Sequence, residues 1–438
     1  MKRNISRRAL LTAAASGTVA LAGCGVLGDS SNSNNDGNTP TSDGTATPPG
    51  QETTPTETGT PAETQNNNQI PQRAYTKRGE VIDDFEDLEL WGTIQGEATP
   101  VTDSAFSGSQ SVRLQNPSGG AAGIFKSFPD GLDLSNHDLS IAAKLNKPAD
   151  AKIALEVLAP ARSDHLVCRR YIPEAMNGWM RIDLGYTGLR GNPMLESVQE
   201  LRLVVLSDGE PVDYVVDDLR KIPKATNQGR VILSFQDTHD SQYDVAYEEL
   251  EKRGWPAMVS AIPDEINSDD ALSTGELRTM RDSNWDVISS PFPDNALPEY
   301  SEEEQRRILA DSKEYLKLKG FREGMEFVSI PYGRFDATTL NVVSDLHEYG
   351  FAFGACPSNT SPVGKAAVST VSGSDLNGAA RMINLAAQYN QLTVVTFSEI
   401  GPDAAVDKEH FTHLLDIIQE WEQQGELKVT TPSEVAKL

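Results

Sequence analysis

Thiols are scarce in this chain: cysteine occurs only at positions 24, 168 and 356 of 438. That count and spacing exclude a disulfide-stapled scaffold and a thiolate metal cluster. Cys168 and Cys356 lie in apolar stretches of different proposed domains, so buried free thiols are expected, not a bridge. Positive charge is also short. Asp and Glu outnumber Lys and Arg by 64 to 38, for a net charge of -26 and an isoelectric point near 4.6. Nucleic acid and anionic membrane surfaces repel such a field, and neither is expected as a partner. Long apolar runs are missing too. The uncharged stretch from Ala9 to Gly28 is rich in Ala, Gly and Thr and too weakly apolar for a stable transmembrane helix.

What precedes and follows that stretch is informative. Lys2, Arg3, Arg7 and Arg8 make a positive N-terminus. Ser6-Arg7-Arg8-Ala9-Leu10-Leu11 resembles a twin-arginine export signal, the route of proteins that fold before crossing. Leu21-Ala22-Gly23-Cys24 resembles a lipobox, which implies lipidation of Cys24 and a signal over residues 1–24. The expectation is an exported protein, anchored by lipid at the outer face of the cell membrane. Residues 25–78 are rich in Thr, Pro and Asn, with no aromatic residue before position 73. Such a segment cannot bury enough apolar surface to offset its ordering entropy, so it reads as a tether. The acidic balance is similar to that of proteins from extreme halophiles, where carboxylates keep the surface hydrated in concentrated salt.

From 79 to 224 the pattern changes to short alternating runs broken by Gly, Asn, Asp and Pro. Ser111–Leu114, Leu139–Ala142, Ile153–Val157, Met180–Leu184, Leu201–Val205 and Tyr214–Val216 read as strands, and their succession without a long helix predicts an all-β sandwich. The opening Asp83-Asp84-Phe85-Glu86-Asp87, Trp91, Gly178-Trp179 and the closing Asp217-Asp218-Leu219 resemble galactose-binding-like jelly rolls, common carbohydrate-binding modules. The resemblance implies a structural calcium, for which Glu86 and Asp218 are the candidate ligands. Phe85, Trp91 and Trp179 read as core aromatics before sugar platforms.

From 228 to 438 strands alternate with amphipathic helices. Val231–Phe235, Ala257–Ala261, Trp285–Ser289, Phe327–Ile330, Phe351–Ala355 and Leu392–Phe397 read as strands, with helices over Ser301–Lys319 and Asp336–Tyr349. Alternation of this kind predicts a parallel sheet closed, or nearly so, into a barrel, with chemistry at the C-terminal strand ends. There the residues are unusual. Ser234-Phe235-Gln236-Asp237-Thr238 ends a buried strand in polar groups. It resembles the Thr-Phe-Asp-Asp-Gly of the polysaccharide deacetylase family, distorted (β/α) barrels that remove acetyl groups from glycans with one divalent metal. The resemblance implies that the family's base falls at Gln236 and its metal-binding Asp at Asp237. The family's two metal histidines fall at Ser290 and Asp294, in Ser289-Ser290-Pro291-Phe292-Pro293-Asp294. Its acid histidine falls at Ser398, in Thr396-Phe397-Ser398, and its base-steadying Arg at Ser329. Pro331-Tyr332-Gly333 keeps the family's turn.

An amide cannot accept a proton near neutral pH, and a serine hydroxyl is a poor transition-metal ligand. The leading expectation is therefore a catalytically degenerate, glycan-binding member. Its groove would be lined by Gln236, Asp237, Ser290, Asp294, Pro331, Tyr332 and Ser398, with a polysaccharide or surface glycan as partner. The alternative is an active metal-dependent deacetylase with divergent ligands. For that reading Asp237, Asp294 and His239 are the metal candidates, with Asp240 and Glu399 beside them. His239 and Asp240 have a plainer reading as caps of the helix starting near Ser241. His410 and His413 read as surface residues of one helix.

Overall fold

The computed structural model describes residues 78–149, 151–173, 176 and 178–438. The twin-arginine motif, Cys24 and the tether up to residue 77 lie outside the described residues. Among the described residues no helix is long and apolar enough to cross a membrane.

The N-terminal part is a sandwich of two six-stranded antiparallel sheets. One sheet runs Glu97–Val101, Ser111–Asn116, Val212–Pro223, His137–Lys147 and Met180–Asp183, with Glu80–Asp83 also paired to Val212–Pro223. The other runs Tyr186–Arg190, Asp164–Ile172, Ala151–Ala161, Val198–Leu206, Ala121–Leu132 and Gly92–Gln95. Alternate residues of both sheets face inward, so Leu139, Ile141, Ile153, Leu155, Leu201, Leu203 and Tyr214 form the filling. Phe85 is buried in it and Trp91 stacks on Phe85 at 5.2 Å, while Trp179 is buried apart from it, with Ala142 and Val215 on the other face of the first sheet. The calcium expectation does not fit this donor set. Asp218 accepts from Arg181 Nη1 at 2.9 Å and from Arg220 Nε at 2.8 Å, and two guanidiniums leave no place for a cation. Glu86 is used by Ser109 N and Oγ, each at 2.6 Å.

The C-terminal part is a closed barrel of seven parallel strands, β1 (Gly229–Phe235), β2 (Met258–Ala261), β3 (Asp286–Ser289), β4 (Phe327–Ser329), β5 (Tyr349–Phe353), β6 (Val368–Ser372) and β7 (Leu392–Phe397). Closure comes from β1, which pairs with β7 from Arg230 to Phe235 and with β2 only at Ser234 and Phe235. Its lower half pairs with an eighth strand, β8 (Leu427–Val429). Side chains alternate, so the near-continuous apolar run Val231-Ile232-Leu233 is buried on both faces. Ile232, Met258, Ile288, Phe327, Tyr349, Phe351, Val368 and Val394 fill the interior. Val231, Leu233, Phe235, Val259, Val287, Val395 and Phe397 pack outward against Leu277, Met280, Phe411 and Ile418 of the surrounding helices.

Helix ends follow local chemistry. Ser301 and Glu304 form a capping box for helix Glu302–Lys319, and Gly320 ends it at φ 92°. The helix expected to reach Tyr349 stops at Leu346, because Tyr349 is needed to start β5 opposite Phe327.

The sandwich and the barrel share one apolar core, in which Leu139 and Tyr186 belong to the same cluster as Phe335, Leu340 and Ala352. Polar groups are buried there too. Gln391, fully buried, accepts from Tyr186 N at 2.9 Å and donates to Asp138 at 3.0 Å. Asp183 accepts from Asn359 Nδ2 at 2.9 Å and from Val363 N at 3.0 Å. Burial pushes the Asp183 carboxyl up to about 7 against those backbone donors. Gly185 lets the chains approach: a Cβ there would sit 2.1 Å from Pro357 O. Cys168 and Cys356, on either side of this junction, are both buried free thiols.

Candidate functional site

Parallel strands bring all the sequence-derived site residues to one end of the barrel. The inward-facing row that contains Ile232, Ile288, Phe327, Phe351 and Val394 continues upward, at a period of two, to Gln236, Ser290, Ser329, Phe353 and Ser398. No carboxylate, imidazole or cation occupies that row at the mouth. Gln236 Nε2 donates across the barrel to Ser329 Oγ at 3.4 Å, so two neutral groups meet where the resemblance implies a base and its steadying Arg. Below them lie Ser234 and Ser260, both fully buried hydroxyls.

The backbone around this row is held under strain. Asp237 and Thr238 have φ of 70° and 55°, a conformation that costs a β-branched residue about 1–3 kcal/mol. Thr238 stands where the family places Gly. Its buried hydroxyl compensates, donating to Ser260 O at 3.1 Å and accepting from Ile262 N at 2.9 Å. Gln242 was not singled out from sequence. Its Nε2 donates to Ser398 O at 3.1 Å and also to Gln236 O, tying β1 to β7. Only a helix-borne amide facing a rim loop would have signalled it.

The intact turn Pro331-Tyr332-Gly333 places Tyr332 at φ 58° and Gly333 at φ 63°. Tyr332 Oη donates to Pro293 O at 2.7 Å, and its ring lies 5.2 Å from that of Phe292. The loop carrying Ser290 and Asp294 is thereby fixed against the turn.

His239 is engaged locally. Its Nδ1 lies 3.1 Å from Ser241 N, 2.9 Å from Ser241 Oγ and 3.0 Å from Asp240 Oδ1, and its Nε2 lies 3.8 Å from Glu399 Oε1. Gln242 N and Tyr243 N donate to the carbonyls of His239 and Asp240, and the helical segment begins there. Among the described residues no group of three or more His, Cys, Asp or Glu side chains is placed to hold a metal ion. The family's own ligand positions hold Asp237, Ser290 and Asp294, and a serine hydroxyl is a poor transition-metal ligand. The family's metal does not fit these residues. His410 departs from the surface expectation: it is half-buried, with Nε2 3.0 Å from Gly373 O, while His413 is exposed.

The comparisons with known proteins bear on this barrel. Residues 223–350 match the polysaccharide deacetylase family model. This match spans β1 to β4 and enters β5, so it includes Gln236, Ser290 and Tyr332 while Ser398 lies beyond it. No curated protein matches the chain. Among solved structures, a family 4 acetyl xylan esterase from Clostridium thermocellum in complex with a cobalt ion is 17% identical, with 48% of this chain and 90% of that one covered and a TM-score of 0.35. The Xyl-CE4 domain of a multidomain xylanase from the hindgut metagenome of Trinervitermes trinervoides is 14% identical, over 48% and 91% of the two chains, at a TM-score of 0.34. A family 11 carbohydrate-binding module of a cellulosomal cellulase of Clostridium thermocellum is 17% identical, over 33% and 94%, at a TM-score of 0.27.

Proposed function

We propose that this chain is an exported surface lipoprotein that binds a glycan at the mouth of its deacetylase-type barrel without removing acetyl groups. The observation that carries this reading is the neutral inward row, above all the Gln236–Ser329 hydrogen bond. Deacetylation of the family's kind needs a base that accepts a proton and a metal that polarises the acetyl carbonyl. An amide and a hydroxyl do neither, yet both bind sugar hydroxyls well. The test is acetate release from chitooligosaccharide and acetyl-xylan by the full chain, with elemental analysis of the natively purified protein and a glycan-array screen. Glycan binding without acetate release or a stoichiometric transition metal is expected. Measurable acetate release would overturn the reading.

Anchoring at the outer membrane face follows from the lipobox-like Leu21-Ala22-Gly23-Cys24. Cys24→Ser should move the protein from the membrane fraction to the medium. A salt-adapted surface follows from the net charge of -26. Dilute buffer unscreens repulsion among carboxylates, so the Tm should be lower there than in molar salt.

A further inference from the structure

Among the described residues, two of the exposed large apolar side chains are aromatic, Tyr332 at 36% and Phe353 at 43%. Both stand on the barrel's C-terminal rim. Phe353 continues the inward row of Tyr349 and Phe351, and ends it at the mouth instead of in the core. The strained turn carries Tyr332 next to Gly333, whose Cβ position lies 3.5 Å from Phe353 Cβ. On its other side Phe353 packs against Tyr171 of the sandwich, ring centroids 5.5 Å apart, and Tyr171 N donates to Gly354 O at 2.9 Å. Ring contacts join Phe292 to Tyr332 and Phe353 to Tyr171, and the turn at Gly333 brings the two pairs together. They lead from the loop after β3, past the mouth, onto sandwich strand Asp164–Ile172. There Arg169 shares the face of Tyr171, and Lys152 lies opposite Tyr171 on the neighbouring strand.

We propose that this row is one continuous track, on which a single uncharged polysaccharide chain is held by the barrel mouth and the sandwich together. The proposal rests on the glycan-binding reading above and adds the subsite across the domain junction. Ring faces stack on the apolar faces of sugar rings, while Arg169, Lys152 and the rim hydroxyls can bond to sugar hydroxyls. The net charge of -26 disfavours a polyanionic chain. The shared apolar core fixes both halves of the track relative to each other, so a long ligand gains from the second half without a further loss of freedom.

The test is calorimetric titration of the full chain with di- and hexasaccharides of the chitin and xylan series. A hexasaccharide should bind at least about ten-fold more tightly than its disaccharide. Phe353→Ala should reduce hexasaccharide affinity roughly ten-fold and compress the long-to-short ratio, and Phe353→Trp should restore it. Thermal melts of both variants separate lost contact from lost fold. If the unaltered protein binds neither length of either series, the glycan-binding reading falls, and this proposal with it. If it binds both lengths equally, or Phe353→Ala leaves the ratio intact, the track alone is refuted. A dimer that Phe353→Ala dissociates with no change in sugar affinity refutes it as well.

Discussion

Replacing Gln391 by Leu tests the claim that sandwich and barrel are one cooperative body. Gln391 is fully buried immediately before β7, and its side chain crosses the junction. Leucine of similar volume keeps the packing and removes both hydrogen bonds. Tyr186 N loses its acceptor at 2.9 Å in a buried setting, which costs about 1–3 kcal/mol. Asp138, 1% exposed, loses the donor at 3.0 Å and keeps Lys224 at 3.0 Å. One hydrogen bond to a charged group contributes about 1.5–3 kcal/mol. The sum is of order 4 kcal/mol, a large share of what a domain has to lose. Urea unfolding followed by far-UV dichroism and by tryptophan fluorescence should show one transition for both probes in the parent and the variant, shifted to lower urea in Gln391→Leu. Two separated transitions in the parent, or a loss below about 1 kcal/mol, would refute the reasoning.

Stability should fall as pH rises from about 4 to about 7. Burial raises Asp183 and Asp217 to about 7, above an unfolded value near ~3.9, so the folded state holds two extra protons across that window. His347, lowered by burial to about 3, opposes with one; a Tm that climbs from pH 4 to 7 would contradict this balance. Thr238→Val should cost about 1–3 kcal/mol by orphaning Ile262 N, while Thr238→Ser keeps the hydroxyl and should cost less than half as much in the same urea titration. The four-fold variant Gln236→Asp, Ser290→His, Asp294→His and Ser398→His should gain affinity for zinc or cobalt in calorimetry. A folded four-fold variant that binds neither would mean that these positions do not face one another.

Where burial and period agreed, the fold was legible. β7 has the bounds read from Leu392-Thr393-Val394-Val395-Thr396-Phe397, because an apolar run between Asn390 in a left-handed turn and polar Ser398 leaves little choice. β6 was missed. Val368-Ser369-Thr370-Val371-Ser372 looks too polar for a strand, but Ser369 and Thr370 are buried, and Ser369 Oγ accepts from Cys356 N at 3.3 Å. Tertiary partners, invisible in a local pattern, made that polarity tolerable. The junction was hidden for the same reason. Gln391 and Asp138 are 253 positions apart, and neither residue alone signals a partner.

The site divides along the same line. Motif spacing placed Gln236, Ser290, Ser329, Tyr332 and Ser398 on one rim because parallel strands of fixed period leave them no other end. What they do to one another is set by tertiary contacts that motif spacing does not carry. Thr238 illustrates the difference: its left-handed φ of 55° is a costly way to hold a loop that a glycine holds freely. The two bonds of its hydroxyl offset that cost by fixing the β2 end. Likewise the Tyr332 turn persists in its left-handed conformation with its hydroxyl bound to Pro293. Strain of this kind survives only where the surroundings over-determine it. Under the proposed glycan-binding reading, the neutral inward row and the strained walls around it supply shape and hydrogen bonding, and the exposed rings of Tyr332 and Phe353 stand on the same rim.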